Sequence, residues 1–227
     1  MSREQQKQDA AAKAVEYIPD NSIVGLGSGS TMYWVMQQLG ELVQQGMHVQ
    51  GIPSSPTTEQ WAKEFHVPLV YFSTEITKAD VAIDGADEVA PGFHMTKGGG
   101  GSLLREKIIA DAADKVIIAV DESKIVQQLG SFPLPVEVTP FGWQKTVRDI
   151  QSLGCDPVLR RSHGAPFETD NANYVIDCDF QLIERPDELH NQLIQLVGVV
   201  ETGLFADQVD IVIAGTDSGA EMFENKR

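Results

Sequence analysis

Cysteine is nearly absent from this chain. Two thiols, Cys155 and Cys178, in 227 residues make neither a disulfide framework nor a zinc pattern. Long apolar runs are missing as well: nothing approaches the roughly 18 residues that cross a bilayer. The opening MSREQQKQDAAAKAVEYI is polar and helix-prone, without the apolar centre of a signal peptide. A cytoplasmic protein with no membrane partner is the expectation. Basic residues are scarce, 17 Lys and Arg against 33 Asp and Glu for a net charge of −16. Binding a phosphate backbone needs a basic face that releases counterions, so no nucleic-acid partner is expected. The five histidines (His48, His66, His94, His163 and His190) show no ligand spacing, and no metal site is expected.

The apolar fraction of 42% and charged fraction of 22% are those of an ordinary globular protein, long enough to bury a core. Residues 4–17 suit an amphipathic helix, broken at Pro19-Asp20-Asn21. Strands are predicted at 22–24, 48–52, 69–72, 79–83 and 116–120. Helices fall between them, the first with Met32, Val35, Met36, Leu39 and Val43 at helical spacing. That alternation predicts a Rossmann-like α/β domain, a parallel sheet covered on both faces. After Lys124 the order becomes β-α-β-β-α-β, with strands at 136–139, 157–161, 174–180 and 199–204 and helices at 143–152 and 187–197. This is the ferredoxin-like pattern. Residues 209–215 then read as a strand of the first sheet again. The predicted organisation is an α/β domain over 1–130 plus 206–227, with a smaller α+β domain inserted over 131–205.

Four segments carry groups suited to chemistry. In Gly25-Leu26-Gly27-Ser28-Gly29-Ser30-Thr31 a glycine turn joins strand to helix, where N–H groups can approach an anion and hydroxyls can add donors. A plain turn with a helix cap reads the same way. The spacing is not G-x-G-x-x-G, no ribose-binding acid ends the next strand, and no G-K-[ST] follows, so a small phosphate or carboxylate fits better than a nucleotide. Asp84-Gly85-Ala86-Asp87 follows a strand, at the end of the sheet where ligands bind. Its two carboxylates can grip sugar hydroxyls or divide acid and base roles, although an aspartate-glycine pair also makes an ordinary turn.

Lys97-Gly98-Gly99-Gly100-Gly101 offers bare backbone donors beside a mobile cation able to meet a developing oxyanion. It runs straight into a helix carrying Glu106. A first-turn glutamate commonly just complements the helix dipole, which favours the carboxylate, whereas burial would favour the acid. Lys124, in Asp121-Glu122-Ser123-Lys124, again lies past the end of a strand.

Taken together, GLGSGST, DGADE, KGGGGSLLREKI, DESK, FPLPVEV and the late GLFA…IVIAG resemble the type A ribose-5-phosphate isomerases, in order and over nearly the whole chain. The resemblance implies a nucleotide-binding-like α/β domain with a smaller α/β domain. It implies interconversion of D-ribose 5-phosphate and D-ribulose 5-phosphate through an enediolate, without metal or organic cofactor, in the non-oxidative pentose phosphate pathway. Glu106 matches the family's base, Lys97 the group that stabilises charge on the oxygens, and Asp84 and Asp87 the residues that bind hydroxyls and help to open the ring. Ser28, Gly29, Ser30, Thr31, Gly85, Ala86, Gly98, Gly99, Gly100 and Lys124 match substrate-binding positions, and Lys7 matches a phosphate neighbour. A homodimer or larger homo-oligomer is implied too. Ser28 stands where threonine is common, and Ser102-Leu103-Leu104 varies from the usual stretch; neither change removes a catalytic group.

Two readings of other kinds fit these residues less well. A sugar-phosphate sensor would carry a DNA-binding module, for which this acidic chain has neither length nor a basic patch. An acyl or coenzyme A transferase with a similar glycine-rich loop would use a glutamate nucleophile and need room for a long cofactor, and the small inserted domain and the DGAD turn give it no support.

Overall fold

The computed structural model describes residues 1–225, and the chain divides into two compact units. The first comprises Met1–Ala86, Arg105–Ile125 and the chain from Gln208 onward. Its six-stranded sheet runs Gly219–Glu224, Ile211–Thr216, Val116–Asp121, Val81–Asp84, Ser22–Leu26, Val49–Pro53. All neighbours are parallel except the Gly219–Glu224 hairpin arm. The five parallel strands thus stand in the order 2-1-3-4-5, a doubly wound α/β arrangement. Its topological switch point lies between Ser22–Leu26 and Val81–Asp84, because the chain leaves the first strand to one side and returns on the other.

The packing follows from side-chain periodicity. In the helix Ser30–Gln44, Met32, Val35, Met36 and Leu39 are buried at i, i+3, i+4 and i+7, the stripe that a 3.6-residue period turns inward. They share a core with Val24, Leu26 and Ile83 of the sheet and with Ala10, Ala11 and Ala14 of the helix Arg3–Val15. Val116–Asp121 is buried along its whole length, as a strand covered on both faces must be.

Two local expectations change. Residues 69–72 form no strand. Leu69 makes one parallel bridge to Gly51, with the Gly51 N–H on the Pro68 carbonyl and the Val70 N–H on the Gly51 carbonyl, while Tyr71 and Phe72 are exposed; the next partner in register would be Pro53, which has no N–H to extend the pairing. Conversely, Gly219–Glu224 is an edge strand that the residue pattern did not announce. It folds back through a two-residue turn where Thr216 Oγ1 donates to the Gly219 carbonyl at 2.8 Å and Gly219 sits at φ 111°.

The second unit comprises Asp87–Leu104 and Val126–Asp207. It contains the β-α-β-β-α-β run: Leu134–Val138, Trp143–Gln151, Asp156–Leu159, Tyr174–Asp179, Pro186–Ile194, Val199–Thr202. Its antiparallel sheet has the spatial order fourth, first, third, second, which is the ferredoxin-like arrangement. Leu134, Val136 and Val138 alternate into a core with Ile176, Cys178, Ile150 and Leu193. Both cysteines are free and buried; hydrogen bonding with Cys155 and burial hold the Cys178 thiol well above its ordinary pKa.

The sequence division placed 87–104 with the larger domain, whereas its contacts lie in the second unit. Met95–Thr96 pairs with Glu88–Val89 on one side and with Leu204–Phe205 on the other. The buried Glu88 carboxylate accepts the N–H groups of Gly130 and Phe132 at 2.8 and 2.9 Å. Those partners are 42 and 44 residues away, a separation that hydrophobic periodicity does not register.

Candidate active site

The first unit carries Lys7, Ser28–Thr31, Asp84–Ala86, Glu106 and Lys124. Asp84 ends its strand, and the glycine loop starts at the end of the neighbouring strand Ser22–Leu26. Both therefore stand at the switch point, where an open α/β sheet receives its ligand. The loop and the aspartate are locked together. Asp84 Oδ1 accepts the Ser28 N–H at 3.1 Å and the Gly85 N–H at 2.7 Å, and the Gly27 N–H reaches the Ile83 carbonyl at 2.9 Å. Gly27 permits the approach, because a methyl group there would overlap the Asp84 carboxyl and Cβ. Gly27→Ala should accordingly cost about 1–3 kcal/mol through overpacking, read as a lowered midpoint in thermal unfolding; an unchanged midpoint would show that Asp84 yields freely.

A buried hydroxyl network supports the loop from beneath. Ser28 Oγ lies 2.8 Å from Ser54 Oγ, Thr58 Oγ1 donates to the Gly27 carbonyl at 2.7 Å, and Ser55 Oγ lies 2.9 Å from Thr58 Oγ1. Sequence reasoning passed over Ser54 and Thr58, both fully buried. The available signal was four hydroxyl residues in Ser54-Ser55-Pro56-Thr57-Thr58 directly after a strand. Above the network, Gly29 is the N-cap of the helix Ser30–Gln44, at φ 95° and with no side chain on the first-turn N–H groups. Those donors, with the exposed Ser30 and the buried Thr31, suit a small anion.

Glu106 lies in the first turn of the helix Leu103–Asp111 and is only 5% exposed. One turn further on, Ile109 packs so closely on the sheet that any methyl at Gly25 would overlap it. Residues three apart share a helix face, so Glu106 is on the sheet-facing side. The helix runs back from the carboxyl ends of the strands, which puts Glu106 nearer to those ends than Ile109. Lys124 closes a short 3-10 turn after Val116–Asp121 and is half-buried. Lys7 is turned to its own helix, with Nζ 2.7 Å from Glu4 Oε1.

The second unit carries Asp87, Lys97 and Gly98–Gly100. Asp87 is held by its own N–H on the Thr96 carbonyl at 2.8 Å, and its Oδ2 accepts the Gly99 N–H at 2.8 Å. Lys97 is 3% exposed, with its N–H on the Gly203 carbonyl at 2.8 Å and Nζ 5.4 Å from the centroid of the Phe205 ring. A ring face beside an ammonium attracts it. Gly98 and Gly101 adopt φ 99° and 87°, the left-handed region that glycine enters without cost, and the Gly101 N–H closes a turn onto the Gly98 carbonyl at 2.9 Å. Among the described residues, no cluster of three or more His, Cys, Asp or Glu side chains is arranged to hold a metal.

The family described as ribose 5-phosphate isomerase A (phosphoriboisomerase A) matches residues 50–219. The chain belongs to the ribose-5-phosphate isomerase A family. Membership makes it an enzyme of the aldose–ketose isomerase class. It is 50% identical over 210 residues to "Ribose-5-phosphate isomerase A 1" of Oceanobacillus iheyensis, covering 92% of this chain and 93% of that protein. It is 46% identical to "Ribose-5-phosphate isomerase A" of Bacillus mycoides, covering 96% and 98%. Among solved structures, a D-ribose-5-phosphate isomerase in complex with phospho-erythronic acid superimposes with a TM-score of 0.96 at 36% identity, over 99% of this chain and 100% of that one. Ribose 5-phosphate isomerase A of Methanocaldococcus jannaschii gives 0.93 at 35% identity, with the same coverage.

Proposed function

We propose that this isomerase A family member interconverts D-ribose 5-phosphate and D-ribulose 5-phosphate through an enediolate, with Glu106 carrying the proton. Family membership across most of the chain carries the reading. The burial of Glu106 and Lys97 and the hydrogen bonds that fix Asp84 and Asp87 support the roles assigned to those four residues.

Asp84 and Asp87 grip the sugar hydroxyls and assist ring opening to the free aldehyde. The Glu106 carboxylate then removes the proton on C2. The C–H electrons form the C1–C2 double bond, and the C1 carbonyl oxygen becomes an oxyanion that Lys97 stabilises. Glu106 returns its proton to C1, the hydroxyl on C2 becomes the ketone as its proton passes to the C1 oxygen, and the product is the ketose. Atoms and electrons balance without an external oxidant. The Ser28–Thr31 loop, the Gly98–Gly100 loop and Lys124 hold the substrate, and Lys7 leaves Glu4 to approach the phosphate.

The test is an isomerisation assay of the purified chain with ribose 5-phosphate, run with and without a chelator. Turnover that is indifferent to the chelator is expected. Absence of turnover would sink the substrate assignment, and strong chelator sensitivity would sink a metal-free proton transfer. The same likeness carries a cytoplasmic homodimer or larger homo-oligomer of the non-oxidative pentose phosphate pathway, for which light scattering is the check on assembly; a monomer mass would overturn that part.

A further inference from the structure

We infer that Arg160 is a positioning residue for the Lys97–Gly101 loop, acting from the sheet of the second unit. This deepens the functional reading, since it takes that loop to be the one that meets substrate. Arg160 follows the strand Asp156–Leu159 and continues its pairing, its N–H donating to the Val175 carbonyl at 2.9 Å. Its guanidinium is forked. Nε and Nη2 donate to the Asp177 carboxylate at 3.0 and 2.5 Å, while Nη1 donates to the carbonyls of both Gly98 and Gly99 at 2.9 and 3.0 Å. The side chains of Arg160 and Asp177 are 15% and 27% exposed, so the pair is sheltered enough for its geometry to persist, unlike a solvated surface pair.

The consequence lies in the peptide planes. In a trans peptide the C=O and the following N–H point in opposite directions. The Gly98–Gly99 peptide is therefore pinned at both ends, its carbonyl by Arg160 and its N–H by Asp87 Oδ2 at 2.8 Å. With the Gly99 carbonyl also on Arg160, the Gly100 N–H is directed away from the guanidinium. Arg160 thus sets the direction of a donor in the loop and, through the Gly99 N–H, the orientation of Asp87. Phe167 completes the support: its ring centroid lies 5.8 Å from the guanidinium carbon, and a methyl at Gly101 would overlap the ring. Glycine leaves the loop intrinsically free, and a fixed guanidinium fork offsets that freedom at two successive carbonyls. A lysine could not, because its ammonium is a point charge without the planar fork.

The test uses the full chain. Arg160→Ala should raise the KM for ribose 5-phosphate about tenfold and lower kcat by a further factor of about ten, as small misplacements of binding groups do. Arg160→Lys should recover less than about half of the loss, for want of the fork. Arg161→Ala is the control: its exposed guanidinium donates to the Gly164 carbonyl, away from the Lys97–Gly101 loop, and its constants should stay within about twofold of the parent.

Amide hydrogen exchange supplies a readout independent of substrate. In Arg160→Ala the amides of residues 99–104 should exchange at least about tenfold faster, while those of Tyr174–Asp179 hold the parent rate. Kinetic constants and loop exchange both within about twofold of the parent would overturn the inference. Equal acceleration throughout the second unit would overturn it too, since it would make Arg160 a general structural residue. If the parent itself fails to turn over ribose 5-phosphate, the substrate assignment falls, and exchange alone decides whether Arg160 holds the loop.

Discussion

Replacing Glu106 by glutamine should lower kcat for ribose 5-phosphate by about 10³–10⁴-fold, at the upper end of what a positioned acid–base group contributes, and leave KM within about fivefold. The two side chains have the same shape and both present an oxygen acceptor, so ground-state packing in the first helical turn survives. What is lost is the capacity to take up a proton and return it. The split between kcat and KM matters because Glu106 is only 5% exposed. A shorter replacement such as Glu106→Ala would open a cavity beside the sheet and mix destabilisation with lost chemistry. Exchange of the C2 hydrogen with deuterated solvent, followed by NMR, should disappear in step with turnover. A loss of kcat smaller than about tenfold, or exchange that persists at the parent rate, would take the base role away from Glu106.

The parts of this chain that a one-dimensional pattern can carry were legible, and those that depend on distant pairing were not. Met32, Val35, Met36 and Leu39 announce their helix because burial on a helix has a period, and the β-α-β-β-α-β run announces the ferredoxin-like sheet for the same reason. The glycine-and-hydroxyl loop at Gly25–Thr31 is visible because it interrupts a strand-to-helix junction. The status of Asp87–Leu104 is different. Its membership rests on Glu88 reaching Gly130 and Phe132 and on pairing with Leu204–Phe205, none of which alters the local pattern.

Arg160 is hidden in the same way. At the end of an exposed strand it reads as a solvated cation, yet its guanidinium reaches carbonyls 61 and 62 residues earlier. Ser54 and Thr58 look like an ordinary polar start to the helix Pro56–Glu64, and part of that reading is right, because Ser55 does cap it through the Thr58 N–H. Their second task, holding up the Ser28 loop, appears only when the strand order places Val49–Pro53 beside Ser22–Leu26.

Lys97→Met should lower kcat by about 10²–10³-fold, the usual effect of removing one stabiliser of a developing oxyanion. Methionine keeps an unbranched stem of similar reach and a contact with the Phe205 ring, while deleting the positive charge. The Lys97 backbone is anchored independently of its side chain, through its N–H on the Gly203 carbonyl. Collapsed turnover is therefore the expected result, with the remaining loop donors keeping KM within about tenfold. Lys97→Arg should not restore the rate, because a rigid guanidinium cannot replace a compact ammonium beside Phe205 without moving the ring. If Lys97→Met kept more than about a tenth of the parent kcat, the charge on the enediolate would have to be met elsewhere, and Lys124, a second half-buried lysine assigned to the substrate site, past the end of its strand, would be the residue to substitute next.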